Sequence, residues 1–521
     1  MEVNPILLEV FKNRFISIAD EMGVTLNRTA FSPNIKERRD FSCAIFNEDS
    51  DMIAQAAHIP VHLGSMPLSV KAAIDNIDFK PGDMIILNDP FKGGTHIPDV
   101  TIIAPAFVDN SAKPQFYLAN RAHHADMGGM TSGSMPLSTS IFQEGLIIPP
   151  LKIMENNKID MKLMSLILNN VRTKKEREGD FVAQIMANKI GLKRINELIE
   201  KYNLMTVKEY ALHLIDYSER ILREFIGKLK KGTYTFFDFL DDDGYLSEKI
   251  KIEVKIVIDG DKVIIDFSNS DPQVQGNVNA VYAITLSAVL YVFRSLVNID
   301  IPTNTGCFKP LVVITKKGTL LDATFPAAVA AGNVETSQRI VDVVLGALGK
   351  ALPNEVPAAS QGTMNNITIG GVDNRYNIPF TYYETIGGGM GAAEGYNGAS
   401  AVQTHMTNTL NTPVEALEFA YPLEVVEYAI RKDSGGKGKY RGGDGIVRDI
   451  KLLTNAEVTV LSERRKLSPY GLFGGENGMA GENIVIENNI NKVMPSKFSI
   501  KLKKDDRIII KTPGGGGFKN E

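Results

Sequence analysis

The chain has 521 residues, 44% hydrophobic and 23% charged, with a formal net charge of −4. That length exceeds what one hydrophobic core serves, so about two to four domains are expected. The charge balance and scattered short basic clusters such as Lys174-Lys175-Glu176-Arg177 exclude a polyanion-driven role, so no nucleic acid is expected as partner. Only Cys43 and Cys307 are present, too few for a disulfide framework, and no apolar run reaches the roughly 18 to 20 residues of a membrane span. The opening residues Met1 to Pro5 lack the basic-then-apolar order of a signal peptide. A soluble, cytoplasmic protein with no membrane partner is expected.

In chain order, Asn4 caps and Pro5 opens a helix whose apolar residues Leu7, Phe11, Phe15, Ile18 and Met22 recur at helical spacing until Gly23, where a stop is expected. Residues 41–46 and 52–55 read as a hairpin, and a short helix opens at Ser65 and Pro67 and runs to 77. Residues 84–87 form a strand, and 88–99 a loop. A strand pair at 100–108 and 115–119, turning at Asp109-Asn110, leads to a second polar loop, 120–134. Helical patterns dominate 162–230. A hairpin spans 250–267 around Asp259-Gly260-Asp261, and helical stretches 280–297 and 335–352 flank a strand at 311–315. Beyond 360, glycine runs and short strands alternate. The expected fold is mixed α/β (α+β) and multi-domain: 1–160 an α/β region with metal-site loops, 161–235 helical, 236–360 a central α/β region, and 361–521 β-rich.

Five of the seven histidines lie between 58 and 124. In Gly94-Thr95-His96-Ile97-Pro98-Asp99 an imidazole and a carboxylate stand three residues apart in a Pro-restrained turn. The strand pair that follows returns Arg121-Ala122-His123-His124-Ala125-Asp126 to the same end of the sheet. Two histidines and a carboxylate would converge there with coordination positions left open, as a catalytic metal needs. Each histidine alone could equally hydrogen-bond loop carbonyls. Adjacent strand residues point opposite ways, so only one of His123 and His124 is expected to bind.

His58 and His62 flank Pro60, which breaks the helical i,i+4 argument for a metal pair and leaves them as substrate-binding donors or structural residues. Asp40 is a further ligand or an arginine partner. Gly387-Gly388-Gly389 invites a phosphate-loop reading, but no Gly-Lys-Ser/Thr follows. Residues 438–445 offer cations and backbone donors for an anion, or simply packed turns. His213 reads as a helix residue and Cys43 as an inert strand residue.

These segments, with Glu37-Arg38-Arg39-Asp40-Phe41-Ser42-Cys43, His58-Ile59-Pro60-Val61-His62-Leu63-Gly64, Asn88-Asp89-Pro90, Gly332-Asn333-Val334-Glu335-Thr336 and Pro513-Gly514-Gly515-Gly516-Gly517, resemble the hydantoinase B/oxoprolinase family over nearly the whole chain. The resemblance implies an enzyme, and a hetero-oligomer with an A-type subunit that binds ATP and phosphorylates the substrate, a small cyclic amide. It implies a divalent metal (zinc, manganese or iron) held by His96, Asp99 and His123, with Asp40 as an addition. On that basis a water activated at the metal would attack the ring amide, with His124 or Asp126 as the catalytic proton carrier. A ketone carboxylase subunit and a non-catalytic scaffold are the alternatives.

Overall fold

The computed structural model describes residues 3–56, 58–108, 111–246 and 248–520, so the turn expected at Asp109-Asn110 lies outside the described residues. Helix α1 (Pro5–Thr29) begins as its sequence dictates, with Asn4 Oδ1 accepting from the backbone N–H groups of Ile6 and Leu7. Its stripe Phe11, Phe15, Ile18, Met22 and Leu26 is buried. The expected stop at Gly23 is corrected: the helix runs on to Thr29. Gly23 marks a close approach instead, because a Cβ there would lie 2.7 Å from Cε1 of His58. A helix bears such a glycine at roughly 1 kcal/mol. A single turn, α2 (Pro33–Lys36), follows.

The first sheet contains β1 (Phe41–Asn47), β2 (Met52–Gln55), β3 (Met84–Leu87), β4 (Asp99–Ala106), β5 (Phe116–His123), β6 (Leu151–Glu155) and β7 (Lys158–Ile159). Their order is β2-β1-β5-β4-β3-β6-β7, antiparallel throughout. Helix α3 (Ser65–Asn76) sets Met66, Val70 and Ala73 against one face. The helical stretch resolves into α4 (Met161–Leu168), α5 (Lys174–Tyr202) and α6 (Leu204–Lys228), and α1, α5 and α6 cover the other face. Burial on both sides explains why every residue of β1, β4 and β5 is inside.

Strand β5 extends past the expected residue 119 to His123, through polar residues that read as loop. They stay in the strand because their polar atoms are satisfied there. Asn120 Nδ2 donates to Gln184 O and Asn188 Oδ1 of α5, and Arg121 donates to Thr101, Ser65 and Ser69.

The second sheet holds β8 (Gly232–Leu240), β9 (Ile250–Asp259), β10 (Lys262–Asp266) and β11 (Leu311–Ile314), ordered β11-β10-β9-β8 with only β10 and β11 parallel. Helices α7 (Tyr282–Leu296) and α8 (Ser337–Leu348) pack with it, and a π turn, Gly332–Thr336, leads into α8. One cluster of buried apolar side chains runs from Ile59 to Leu461, so the first two sheets share a core.

The last third contains β12 (Asn366–Asp373), β13 (Ile378–Glu384), α9 (Val414–Ala420), β14 (Leu423–Arg431), β15 (Gly445–Leu452), β16 (Ala456–Leu461), β17 (Glu482–Glu487), β18 (Ile490–Met494), β19 (Lys497–Leu502) and β20 (Arg507–Lys511). They build two sheets, β13-β12-β16-β19 and β14-β15-β20-β17-β18, around a core of their own. Beside them the glycine runs lie backbone against backbone. Gly436 N donates to Gly515 O, Gly515 N to Gly443 O, and Gly389 N to Pro513 O. A Cβ on Gly389 would stand 2.1 Å from Gly443 O. The donors of 438–445 that could hold an anion are engaged the same way: Gly442 N on Gly436 O, Gly443 N on Met390 O. Packed turns, not phosphate loops, account for these runs.

Candidate metal centre

Asp99 opens β4 and His123 closes β5, and the two are direct cross-strand partners. His96 reaches them from a tight turn in which Asp99 N donates to His96 O. Asp99 Oδ1 lies 3.3 Å from His96 Nε2 and 3.2 Å from His123 Nδ1, and the two ring nitrogens are 3.2 Å apart. One ligand atom from each of the three side chains falls within 4.8 Å of the others, and all three residues are buried. The sheet supplies a rigid base, and the cluster forms at the end to which the strand pair returns.

The surroundings fix each group. His96 Nδ1 donates to Ala330 O at 3.1 Å, which aims Nε2 at the cluster. Thr95 Oγ1 donates to Asp99 Oδ2 at 2.5 Å, turning Oδ1 towards the two imidazoles. The His123 ring stacks on Tyr383 of β13, centroids 4.3 Å apart and planes at 12°, and the Arg38 guanidinium lies over the same tyrosine. Asn333, carried by the π turn, brings Nδ2 to 3.0 Å from His96 Nε2.

Burial pushes the Asp99 carboxyl up, but the neighbouring His96 and His62 outweigh it and hold the group well below the usual carboxylate range. Burial likewise disfavours a charged His96, yet the Asp99 carboxylate beside it raises the ring above its ordinary value. His123 and His62 are lowered, chiefly by burial, and so favour the neutral form. The site therefore combines an ionised carboxylate with two imidazoles, His123 and His62, that favour the neutral form a metal takes, while Asp99 draws His96 towards its proton. His123 Nε2 is buried without a hydrogen-bond partner. The converging atoms, Asp99 Oδ1, His96 Nε2 and His123 Nδ1, are all of types that ligate a divalent metal. These residues fit a divalent cation.

Of the other residues singled out in the sequence, His62 joins the cluster. Its Nε2 donates to Asp99 Oδ2 at 3.3 Å, and Nδ1 stands 2.8 Å from Ser42 Oγ. Asp40 lines the same cavity, 3.9 Å from Arg38, with its pKa raised by burial against the pull of His123 and Arg38. It is not one of the three converging ligands. His58 stands outside, edge-on to Phe41 and lining an adjoining cleft.

His124 and Asp126 are not brought to the cluster, which corrects the expected proton carriers. His124 points to the opposite side of the strand from His123, stacks on Phe181 at 4.5 Å and donates from Nε2 to Gln184 Oε1 at 2.9 Å. Asp126 accepts from the backbone N–H and the guanidinium of Arg172, both at 2.7 Å.

Sequence reading missed Thr95, Asn333, Tyr383 and Ser42. Thr95 sits within the metal motif and could have been found there. Asn333 and Tyr383 lie more than 200 residues from His123; Asn333 stands in the Gly332–Thr336 segment that carries the family resemblance, but nothing local marks either residue as a neighbour of the cluster.

Hydantoinase B/oxoprolinase is the family description that fits residues 4–521. The chain belongs to that family. It is 43% identical to a 5-oxoprolinase of Dictyostelium discoideum over 99% of its own length, and 42% identical to an uncharacterized protein of Methanocaldococcus jannaschii over 99%. It spans 40% of the first of these relatives and 91% of the second. A putative D-/L-hydantoinase B-type polypeptide of Pseudomonas sp. (strain NS671) is 30% identical, with 100% of this chain and 90% of that protein covered. Among solved structures, an ATP-dependent caprolactamase from Pseudomonas jessenii superimposes with a TM-score of 0.93 at 28% identity, covering 100% of this chain and 92% of its own. Acetone carboxylase in a nucleotide-free structure gives 0.91 at 19% identity, with 99% and 76% covered, and shares the fold. Among the described residues no helix is long and apolar enough to cross a membrane.

Proposed function

We propose that this hydantoinase B/oxoprolinase chain is the metal-binding subunit of an ATP-dependent cyclic-amide hydrolase. The observation that carries the reading is the buried cluster His96, Asp99 and His123, inside a chain that matches lactam-opening relatives along its whole length. An A-type partner binds ATP and phosphorylates the amide oxygen, which removes amide resonance and creates a leaving group. The relatives support such a partner. This chain spans only 40% of the Dictyostelium 5-oxoprolinase, which leaves the larger part of that protein to other functions, and the Pseudomonas hydantoinase is itself divided into subunits.

His96, Asp99 and His123 would hold the metal, zinc, manganese or iron by ligand type, and Asp40 stands on the cavity wall as an additional carboxylate. A divalent ion there supplies Lewis acidity and lowers the pKa of water towards neutrality. The chain's own groups do the rest. Ala330 O and Thr95 Oγ1 orient His96 and Asp99. His62, kept neutral by burial, holds a proton at Nε2 against Asp99 and replaces His124 as the group placed to move one. Ile59, Val61, Val334 and Met406 line the cavity and exclude bulk water.

Elemental analysis tests the reading. Near-stoichiometric metal is expected in the wild type and lost in His96→Ala and His123→Ala that still fold, together with ring opening in the presence of partner and ATP. Metal-free wild type under all loading conditions would refute it and favour a scaffold role. The shared fold with acetone carboxylase keeps a carboxylase subunit as second reading, and bicarbonate-dependent product formation would select it.

A further inference from the structure

The lone pair of an imidazole lies in the plane of its ring, so whatever fixes the plane of His123 fixes where its nitrogens point. Asn34 Nδ2 holds the backbone of His123 by donating to its carbonyl oxygen at 2.6 Å, and the ring plane is set by Tyr383, which lies parallel to it within 12°. Tyr383 is in turn anchored at its far end. In the β12–β13 ladder it pairs with Thr368, so Asn366, two residues along β12, stands diagonal to it on the same face. The phenolic hydroxyl donates to Asn366 Oδ1 at 2.9 Å.

Asn366 is held by Glu335. Its Nδ2 donates to Glu335 Oε1 at 2.7 Å and to Leu461 O at 3.0 Å, and the backbone N–H of Met364, a residue of the cavity wall, donates to the same carboxyl oxygen at 3.1 Å. Glu335, Asn366 and Tyr383 are all buried, so water does not replace a lost partner. A chain of fixed side chains thus runs from Glu335 through Asn366 to the ring on His123. Glu335 sits in the π turn Gly332–Thr336, a rare helical form that concentrates at functional sites. Two residues earlier the same turn carries Asn333, whose Nδ2 is 3.0 Å from His96 Nε2. One turn therefore reaches both histidines by different routes. Burial pushes Glu335 up to about 8, so at neutral pH it mostly keeps its proton and the chain is spared a buried charge.

We propose that Glu335 is a positioning residue of the metal centre, acting through Asn366 and Tyr383 to fix the plane of the His123 imidazole while Asn333 of the same π turn reaches His96. The proposal rests on the metal reading of the cluster. The chain supplies geometry and no ligand atom, since it meets His123 only through the ring face of Tyr383.

The test is Co2+ binding by the full chain, read as affinity against a chelator and as the position and intensity of the Co2+ absorption bands. Tyr383→Phe keeps the stacked ring and removes only its hydroxyl, and Glu335→Leu removes the acceptor at similar volume. Each should weaken Co2+ about tenfold and shift the bands, the low end of what loss of a ligand-orienting group costs. Glu335→Gln, which keeps an oxygen for Asn366 and Met364, should stay within about twofold of wild type. Because both changes cut one chain, Glu335→Leu combined with Tyr383→Phe should bind no more weakly than the weaker single variant. A chain that is structural only would lower urea midpoints and leave the bands where they are. Wild-type affinity and bands in folded Tyr383→Phe, Glu335→Gln as impaired as Glu335→Leu, or effects that multiply in the double variant would each overturn the proposal. Should Glu335→Leu not fold, Tyr383→Phe decides alone. No Co2+ bound by the wild type would remove the metal reading together with this one, whereas binding untouched by the substitutions would remove only the role of Glu335.

Discussion

Replacing Thr95 by valine tests the metal centre without touching a ligand. Thr95 is 1% exposed, and its hydroxyl donates to Asp99 Oδ2 at 2.5 Å. Valine keeps the shape and removes that donor. The remaining contacts to Oδ2, His62 Nε2 at 3.3 Å and Asn333 Nδ2 at 3.5 Å, are too long to replace it. A buried acceptor deprived of its donor costs about 1–3 kcal/mol. At about 1.4 kcal/mol per decade, metal affinity should fall roughly 5- to 150-fold. The usual effect of removing a group that orients a ligand, about 10- to 100-fold, falls inside that range. Competition of Co2+ against a chelator measures the affinity, and the Co2+ absorption bands report whether coordination geometry is kept. Thr95→Ser, which restores the hydroxyl, should return to near wild type. Affinity in Thr95→Val within twofold of wild type, or tighter, would mean that Asp99 does not depend on this donor for its orientation and would refute the ligand assignment built on it.

Other expectations follow from buried groups away from the ligands. Glu335 is pushed up to about 8 by burial, although Asn366 Nδ2 and Met364 N donate to it. Its folded pKa lies above its unfolded one, so the unfolded chain releases this proton first. Stability should fall as pH rises from about 4.5 towards 8, by at most ~5 kcal/mol. Urea midpoints of Glu335→Gln should show a flatter slope over that window, and parallel slopes would count against it. Gly515→Ala would place a Cβ 2.0 Å from Met390 O and break two glycine-to-glycine backbone bonds, with a loss of ~3 kcal/mol or more expected in urea denaturation. His124→Leu should lower stability by about 1–3 kcal/mol through the stranded Gln184 oxygen but retain metal; metal loss in a folded variant would return His124 to the site.

Much of the fold was readable where one local cause acts alone. The N-cap of α1, the hairpin around Gly260 and the bounds of β3 follow from side-chain capping, turn chemistry and β-branched runs. The metal motif was readable because its parts lie close in sequence: His96 and Asp99 share a turn, and a single strand pair returns His123 beside them. Gly23 and the polar half of β5 were misread for one physical reason. In each case tertiary contact overrides local preference: a histidine needs the space of the missing Cβ, and Asn120 and Arg121 find partners on α3, β4 and α5. The same limit hid Tyr383 and Asn333, whose places beside the cluster depend on packing between distant parts of the chain.

The centre is held together by that same long-range packing. All three converging ligands lie before residue 124, Asp99 and His123 on one sheet and His96 in the turn that leads into it. Their enclosure does not. The acceptor for His96 is Ala330, the residue that reaches its free nitrogen is Asn333, and the ring stacked on His123 is Tyr383. Ala330 is itself fixed by Glu144, whose Oε1 accepts from the backbone N–H groups of Val329 and Ala330 at 2.8 and 2.9 Å and from Ser138. One carboxylate therefore sets the peptide that both orients His96 and feeds the π turn bearing Asn333. The N-terminal sheet provides ligand atoms at fixed spacing, while the central and C-terminal parts provide tautomer, orientation and dryness. A preorganised centre needs both, because a ligand free to rotate would give up affinity to rotamer entropy and water would screen the charges that hold it. The length of chain over which the family resemblance extends is matched by the length over which the site is built.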